Sequence, residues 1–219
     1  MIKRNRLNLM HTLACLYRGQ SLLRIRMNAA FSDFTISGKV LDVGGGRSPD
    51  YFSYMKIQDG VDIEALDGSL SGIDFEKDVL PVEDRSIDTL VCANVLEHIY
   101  NHRHLLTELE RVLSKNGTLI GFVPFWVGYH PDPHDYFRYT KEALYRLLAD
   151  AGFVEIEITA LGVSPVLANF NTMVLSLPRI LRPLFYLWCV PFEFLFLRLR
   201  PRSRERTPLG FVFTARTHA

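Results

Sequence analysis

Only three cysteines occur in the sequence, Cys15, Cys92 and Cys189, and none stands at CxxC or Cys/His ligand spacing. That argues against a disulfide framework and against a zinc site, so no metal ligand set is expected; it suits a reducing, cytoplasmic setting. No apolar run is long enough to cross a bilayer, which takes about 20 residues. The longest, Pro183–Leu197, falls short and is interrupted by Pro191 and Glu193. The first residues, Met1-Ile2-Lys3-Arg4-Asn5-Arg6, lead into an apolar stretch without an A-x-A-like cleavage site, interrupted by Asn8, His11 and Thr12. It reads as a helix with Leu9, Leu13 and Leu16 on one face rather than as a signal peptide. Acidic residues are also missing from the first 32 positions, which hold six Lys or Arg.

Charge is therefore segregated. Residues 33–175 hold 22 acidic against 11 basic residues, whereas residues 176–209 hold seven Arg against two Glu. The formal net charge of +1 hides an acidic middle between two basic, apolar ends, which is a statement about partners rather than fold. The length of 219 residues, 48% hydrophobic and 22% charged, suits one globular domain with an elaborated tail, and no internal repeat is present.

From Gly38 onward, strand-like and helix-like segments alternate, the pattern of a parallel sheet. Strands are expected at Lys39–Val43, Ile63–Leu66, Ile73–Phe75, Asp88–Ala93, Thr118–Val123, Val154–Thr159 and Gly210–Ala215. Helices are expected after Ser48 (N-cap) and Pro49, over Leu105–Leu113 with Asn116-Gly117 as its stop, and from Thr140 to Gly152. The expected fold is α/β: a doubly wound, Rossmann-like, mostly parallel sheet with an antiparallel last strand. An N-terminal helical segment (1–32) precedes a core of residues 33–162 and 208–219, and a helical, apolar insertion (163–207) comes before the final strand.

Val40-Leu41-Asp42-Val43 runs into Gly44-Gly45-Gly46, a turn whose missing side chains and free N–H groups admit a ligand at the sheet's carboxyl edge. Asp67 ends the next strand, where a carboxylate can accept both hydroxyls of a ribose. These features alone fit either a dinucleotide or another adenosyl cofactor. Together with two further stretches, the sequence resembles the small class I, type-11-like S-adenosylmethionine-dependent methyltransferases. Their D-x-G-x-G motif appears as Asp42-Val43-Gly44-Gly45-Gly46. Their D-x-x-x-L-P-F-x-D-x-S-F-D stretch appears as Asp78 to Asp88, two residues shorter, with Val82 and Ile87 in place of Phe. Their V-L-E-H-I/V motif is intact as Val95-Leu96-Glu97-His98-Ile99.

The resemblance, which spans roughly Gly38 to Gly152, implies S-adenosyl-L-methionine as cofactor. It assigns the methionine end to Asp42 and the Gly44 and Gly46 backbone, the ribose to Asp67, the adenine to Asp78 and Val79, and the floor near the sulfonium to Asn94. An acidic ring without nearby Lys suits that cation. A pyrophosphate on the glycine turn would instead face Asp42, which disfavours a dinucleotide. Glu97 and His98 read as shaping the strand–helix junction.

The segment Pro124–Tyr139 is dense in aromatics, His and Asp, and related methyltransferases carry a similar P-H-D-Y-x-R-Y/F-T run. His130 and His134 are the candidates for a general base, which an acceptor hydroxyl requires. Pro131 and Pro133 stiffen the loop, and Arg138 pairs with an acid to anchor it in the competing, architectural reading. The apolar segment with its arginines fits an anionic membrane surface on the inner face of the membrane, with a small or lipid-linked acceptor, such as a glycan or isoprenoid intermediate. The competing reading is a non-catalytic, membrane-associated binding protein that keeps the fold; a lid or a dimer contact are the other roles for 163–207. Nucleic acid is disfavoured by the acidic middle, and no oligomeric state is read from the sequence.

Overall fold

Alternate residues of the central strands face opposite sides of one sheet, and both sides are apolar. In the strand Ile87–Ala93, Leu90 and Cys92 pack into one core and Val91 and Ala93 into the other, all buried. A computed structural model describes residues 8–46 and 49–218. Its elements are α1 (Leu9–Arg18), α2 (Leu22–Phe31), β1 (Thr35–Ile36), β2 (Lys39–Val43), β3 (Lys56–Ile57), β4 (Asp62–Leu66), α3 (Gly68–Ser71), β5 (Ile87–Ala93) and α4 (His102–Val112). They continue as β6 (Leu113–Pro124), α5 (Lys141–Asp150), β7 (Val154–Gly162), α6 (Pro165–Met173), α7 (Leu181–Leu199), α8 (Ser203–Arg206) and β8 (Pro208–Arg216).

The main sheet has six strands in the order β4-β2-β5-β6-β8-β7. β4, β2, β5 and β6 are parallel neighbours; β8 runs antiparallel to both β6 and β7. Helices cover both faces. α4 and α5 bury Leu105, Leu109, Leu144 and Leu148 on one side, and α1, α2, α6 and α7 supply Leu16, Phe31, Phe170 and Tyr186 on the other. The expected mostly parallel, doubly wound sheet with an antiparallel last strand is the architecture observed.

Several local expectations need correction. Ile73–Phe75 is not a strand: Asp74 Oδ1 accepts from the Glu76 amide (3.0 Å), and the Asp74 carbonyl accepts from the Lys77 and Asp78 amides, so the chain turns there. β4 consequently forms the sheet edge, with Ile63 39% exposed. Asn116-Gly117 do not stop α4, which passes at Leu113 directly into β6; the two residues lie inside that strand, with Asn116 at φ 59°. The expected N-cap Ser48 lies outside the described residues, and Pro49 is extended ahead of a 3-10 turn at Asp50–Ser53 rather than being the first helical residue. Among the described residues 8–32 there are two helices, α1 capped by Asn8 and α2 by Ser21, in place of one. Leu16 is buried on the expected face of α1, but Leu9 is 48% exposed. Thr140 caps α5 as expected, its hydroxyl accepting from the Ala143 amide at 3.2 Å.

Candidate functional site

β2 delivers Asp42 to the sheet's carboxyl edge, and the chain then turns sharply at Gly44 (φ 81°). A side chain at Gly44 would strike Val95, the residue that follows the tip of β5. One at Gly45 would overlap Asp42 Oδ2 and the Tyr51 hydroxyl. The turn thus packs backbone against the ends of two neighbouring strands. Asp67, just beyond β4, brings Oδ2 to 3.7 Å from where a Cβ on Gly46 would lie.

Asp42 is fully buried. The Tyr51 hydroxyl donates to its Oδ1 at 2.5 Å, while Oδ2 has no hydrogen-bond partner among the described residues. Burial pushes the carboxyl up to about 7, with the Tyr51 hydrogen bond working against the shift and the charge of Asp67 adding to it. Burial and the adjacent carboxylate also push the Tyr51 phenol upward, so it remains a donor. A buried carboxylate with one unpaired oxygen is costly to ionise, and a cation nearby would lower that cost. Sequence reasoning did not single out Tyr51, and it took Gly45 only as part of the glycine turn; their roles here arise from one carboxylate needing both a donor and room.

A cleft of about 570 Å³ opens above this turn. It is lined by Gly44, Asp67, Gly68, Asn94, Val95 and His98 at the strand tips, by Ile73–Glu76 on one side, and by Asp132–His134 and Tyr136 on the other. Among the described residues no Lys or Arg lines it, and four carboxylates do: Asp67, Asp74, Glu76 and Asp132. Asn94, with φ 57°, turns the chain out of β5 at the cleft floor. Of the residues singled out from sequence, Gly44, Asp67, Asn94 and His134 line the cleft, and Asp42 lies buried beside the glycine turn at its base. Asp78 instead folds back, its Oδ2 accepting from the Asp74 amide at 2.8 Å, and Val79 is 68% exposed outside the lining. Asp74 and Glu76 occupy the side on which Asp78 was expected.

The aromatic loop after β6 closes the cleft from the far side. Its Tyr136 and Phe137 amides donate to the Glu97 carbonyl, and the buried Tyr139 hydroxyl donates to the Leu96 carbonyl at 2.9 Å. Arg138 grips Asp135 through two nitrogens, one at 2.5 Å and the other at 2.7 Å, and donates to the Gly128 carbonyl at 3.2 Å. That bidentate pair holds Asp135 down at about 2. His130 belongs to this anchor: its amide donates to Asp135, and its Nδ1 lies 3.0 Å from the Gly128 carbonyl and 3.2 Å from Arg138. His134 has an exposed side chain on the cleft wall, with its ring against Tyr136 at 5.3 Å between centroids. Glu97 is fully buried beneath the loop, and burial pushes it up to about 8.

The antiparallel β8 set between β6 and β7, the glycine turn after β2 and the acid-lined cleft at the strand tips define a Rossmann-like α/β domain. Known proteins agree. Residues 41–121 match the family described as "Methyltransferase domain". Two Mycobacterium tuberculosis proteins, each named a probable S-adenosylmethionine-dependent methyltransferase, are 30% identical over 98 residues. That stretch is 42% of this chain and 36% of each relative, so the match spans about a third of their length. Among solved structures, Haemonchus contortus phosphoethanolamine N-methyltransferase 2, bound to phosphomonomethylethanolamine and S-adenosylhomocysteine, superposes with a TM-score of 0.55 at 14% identity, covering 99% of this chain and 59% of that one. A possible histamine N-methyltransferase from Thermotoga maritima superposes with a TM-score of 0.55 at 14% identity, covering 95% and 94%. At that identity the likeness is one of fold.

Proposed function

We propose that this chain is an S-adenosylmethionine-dependent methyltransferase. One observation carries the reading: a cleft lined, among the described residues, by carboxylates and by no Lys or Arg, beside a glycine turn that carries the buried, half-satisfied Asp42. Such a site fits a ligand that is both adenosyl and cationic, and the residues present therefore fit this cofactor. Asp67 takes the ribose, Asp42 with the Gly44 and Gly46 backbone holds the methionine end, and Asn94 floors the sulfonium. The adenine falls to the segment Ile73–Val79, where Asp78 and Val79 were expected to act and where Asp74 and Glu76 line the cleft. When bound, the cofactor supplies an already activated methyl group. The chain's own task is to hold an acceptor in line with it and to keep water out. For a hydroxyl acceptor, His134 is the better supported of the two histidine bases, because its exposed side chain borders the cleft whereas His130 is engaged by Arg138 and the Gly128 carbonyl.

The acceptor proposed is small or lipid-linked, reached from an anionic membrane surface. Support comes from the outer face of α7 and the turn before it. Leu175, Ile180, Leu184, Trp188, Phe194 and Leu199 are each more than half exposed, with Arg198, Arg200, Arg202, Arg204 and Arg206 following. Large apolar side chains beside a row of arginines suit an interface of apolar and anionic character. No helix among the described residues is long and apolar enough to cross a membrane, so the contact proposed is peripheral. Calorimetry of cofactor binding to the native chain and to Asp67→Ala tests the first part. Binding that weakens by ten-fold or more on substitution supports it, and no binding by the native chain ends it. A methylation assay on a lipid fraction with labelled cofactor tests the acceptor class.

A further inference from the structure

Beside the cleft, three side chains converge that the methyl-transfer reading does not use. Glu97, His98 and His130 each offer one ligand atom, and the three atoms lie within 4.8 Å of one another. The Glu97 side chain is completely buried, and neither of its oxygens has a hydrogen-bond partner at normal distance among the described residues. Leaving a buried carboxylate so poorly satisfied is costly, and each such group calls for an explanation. Oε1 points at His98, whose Nε2 stands 3.6 Å away.

The His98 imidazole is oriented as a metal ligand is. His98 Nδ1 lies 2.5 Å from the His134 carbonyl oxygen, so Nδ1 carries the proton and Nε2 presents its lone pair towards Glu97. His130 Nδ1 lies 3.0 Å from the Gly128 carbonyl oxygen and 3.2 Å from the Arg138 guanidinium, so its ring is held in place from that side. A ring N–H tied to a backbone carbonyl is the usual outer support of a metal-bound histidine. The rings stand edge to face, 5.2 Å between centroids.

The geometry points to a binding site for a divalent transition metal of zinc-like character, held by Glu97, His98 and His130 at the edge of the cleft. Two imidazoles and a carboxylate are the ligand set of zinc sites that keep a position open, and of facial-triad sites for other divalent metals. Tetrahedral ligands at about 2.1 Å from a metal stand about 3.4 Å apart. The Glu97–His98 spacing is already close to that value, so the half-exposed His130 on its loop is the ligand that closes in. The open position would face the cleft, which His98 lines. The sequence expectation of no metal rested on cysteine spacing; this set draws no cysteine and joins the β5–α4 junction to the aromatic loop.

The inference is independent of methyl transfer, because its test needs no cofactor. The full chain, stripped with chelator, is titrated with Zn(II) against a chromophoric competitor, and separately with Co(II) followed by visible absorption. One equivalent bound, with the intense Co(II) bands of a four-coordinate site, is the expected result. His130→Ala, a change on a half-exposed loop, and the isosteric Glu97→Gln should each weaken Zn(II) binding by ten-fold or more while the far-UV circular dichroism stays native. The inference is overturned if the native chain takes up no stoichiometric metal, or if both variants bind as it does. Cofactor binding measured on the metal-free chain then separates the two ideas: its absence would sink methyl transfer and leave the metal site standing.

Discussion

Asp42 gives the sharpest test of the cofactor reading, because its protonation and its proposed ligand compete. In the unfolded chain its carboxyl titrates at the ordinary 3.8, and in the folded chain at about 7. As pH rises from about 4 to 7, the unfolded chain has already lost this proton and the native chain still holds it. Native stability therefore falls by about 1.4 kcal/mol per pH unit over that window, about 4 kcal/mol in all, and the group costs nothing below pH 4. A cation bound against Asp42 favours the carboxylate, so the affinity for S-adenosylmethionine must rise through the same region. With a pKa of about 7 the ionised fraction grows about five-fold between pH 6 and pH 7, and by less than two-fold from pH 7 to pH 7.5. Calorimetry across that range should show the affinity following those factors. In buffers of different ionisation enthalpy it should also show close to one proton released per ligand at pH 6. Asp42→Asn should flatten the profile, and at pH 8 its ligand-free form should unfold at higher temperature than the native chain. An affinity that is level from pH 6 to pH 7.5, or an equal slope in Asp42→Asn, would refute the pairing of this carboxylate with a cation.

Other consequences follow from the same geometry. Gly45→Ala forces a methyl into the space of the Asp42–Tyr51 pair, and overpacking of this kind costs about 1–3 kcal/mol, so lower thermal stability and weakened cofactor binding are expected together. Tyr51→Phe removes the donor to a buried carboxyl and should destabilise by about 1–3 kcal/mol in denaturant titrations; a neutral result would mean that the hydroxyl is satisfied elsewhere. Arg138→Met leaves Asp135, held at about 2 by that guanidinium, without its partner. The stability this pair lends is present above about pH 4 and lost as pH falls towards 2, so the variant should differ from the native chain at pH 7 and converge with it in acid. Trp188→Ala combined with Phe194→Ala should lower co-sedimentation with anionic liposomes at low salt; unchanged sedimentation would remove the membrane face from the reading.

The parallel part of the sheet was legible because its strands are buried on both faces and so read as short apolar runs. Lys39–Val43 is a strand over the whole range expected, and Ile87–Ala93 departs by a single residue. What escaped was governed by side chains acting on backbone. Ile73-Asp74-Phe75 has the apolar alternation of a strand, yet a carboxylate able to cap its own chain two residues on competes with the sheet ladder and wins. Asn116-Gly117 is a reasonable helix stop, but α4 ends earlier because Leu113 is already paired with Ile87 of β5. Local propensity gave way to a tertiary partner. The β1–β3 pair, two residues on each strand, is too short to carry any periodic signal.

The lining of the cleft was legible where the backbone dictates a residue's place and less so where contacts do. Glycines after a strand and an aspartate closing the next strand are consequences of topology, and Gly44, Asp67 and Asn94 line one cleft. The adenine side depends on how an irregular segment folds. There the Asp78 carboxylate is spent on the Asp74 amide, so Asp74 and Glu76 face the cleft instead. The aromatic loop has the same character: its composition marks it as functional, but only its docking on Glu97 separates the two histidines. His130 is drawn into the Arg138–Asp135 anchor and towards the buried Glu97, while His134 keeps an exposed side chain beside the cleft. Two histidines in one loop can therefore serve different ends, the first fixing the loop to the domain and the second facing whatever the cleft receives.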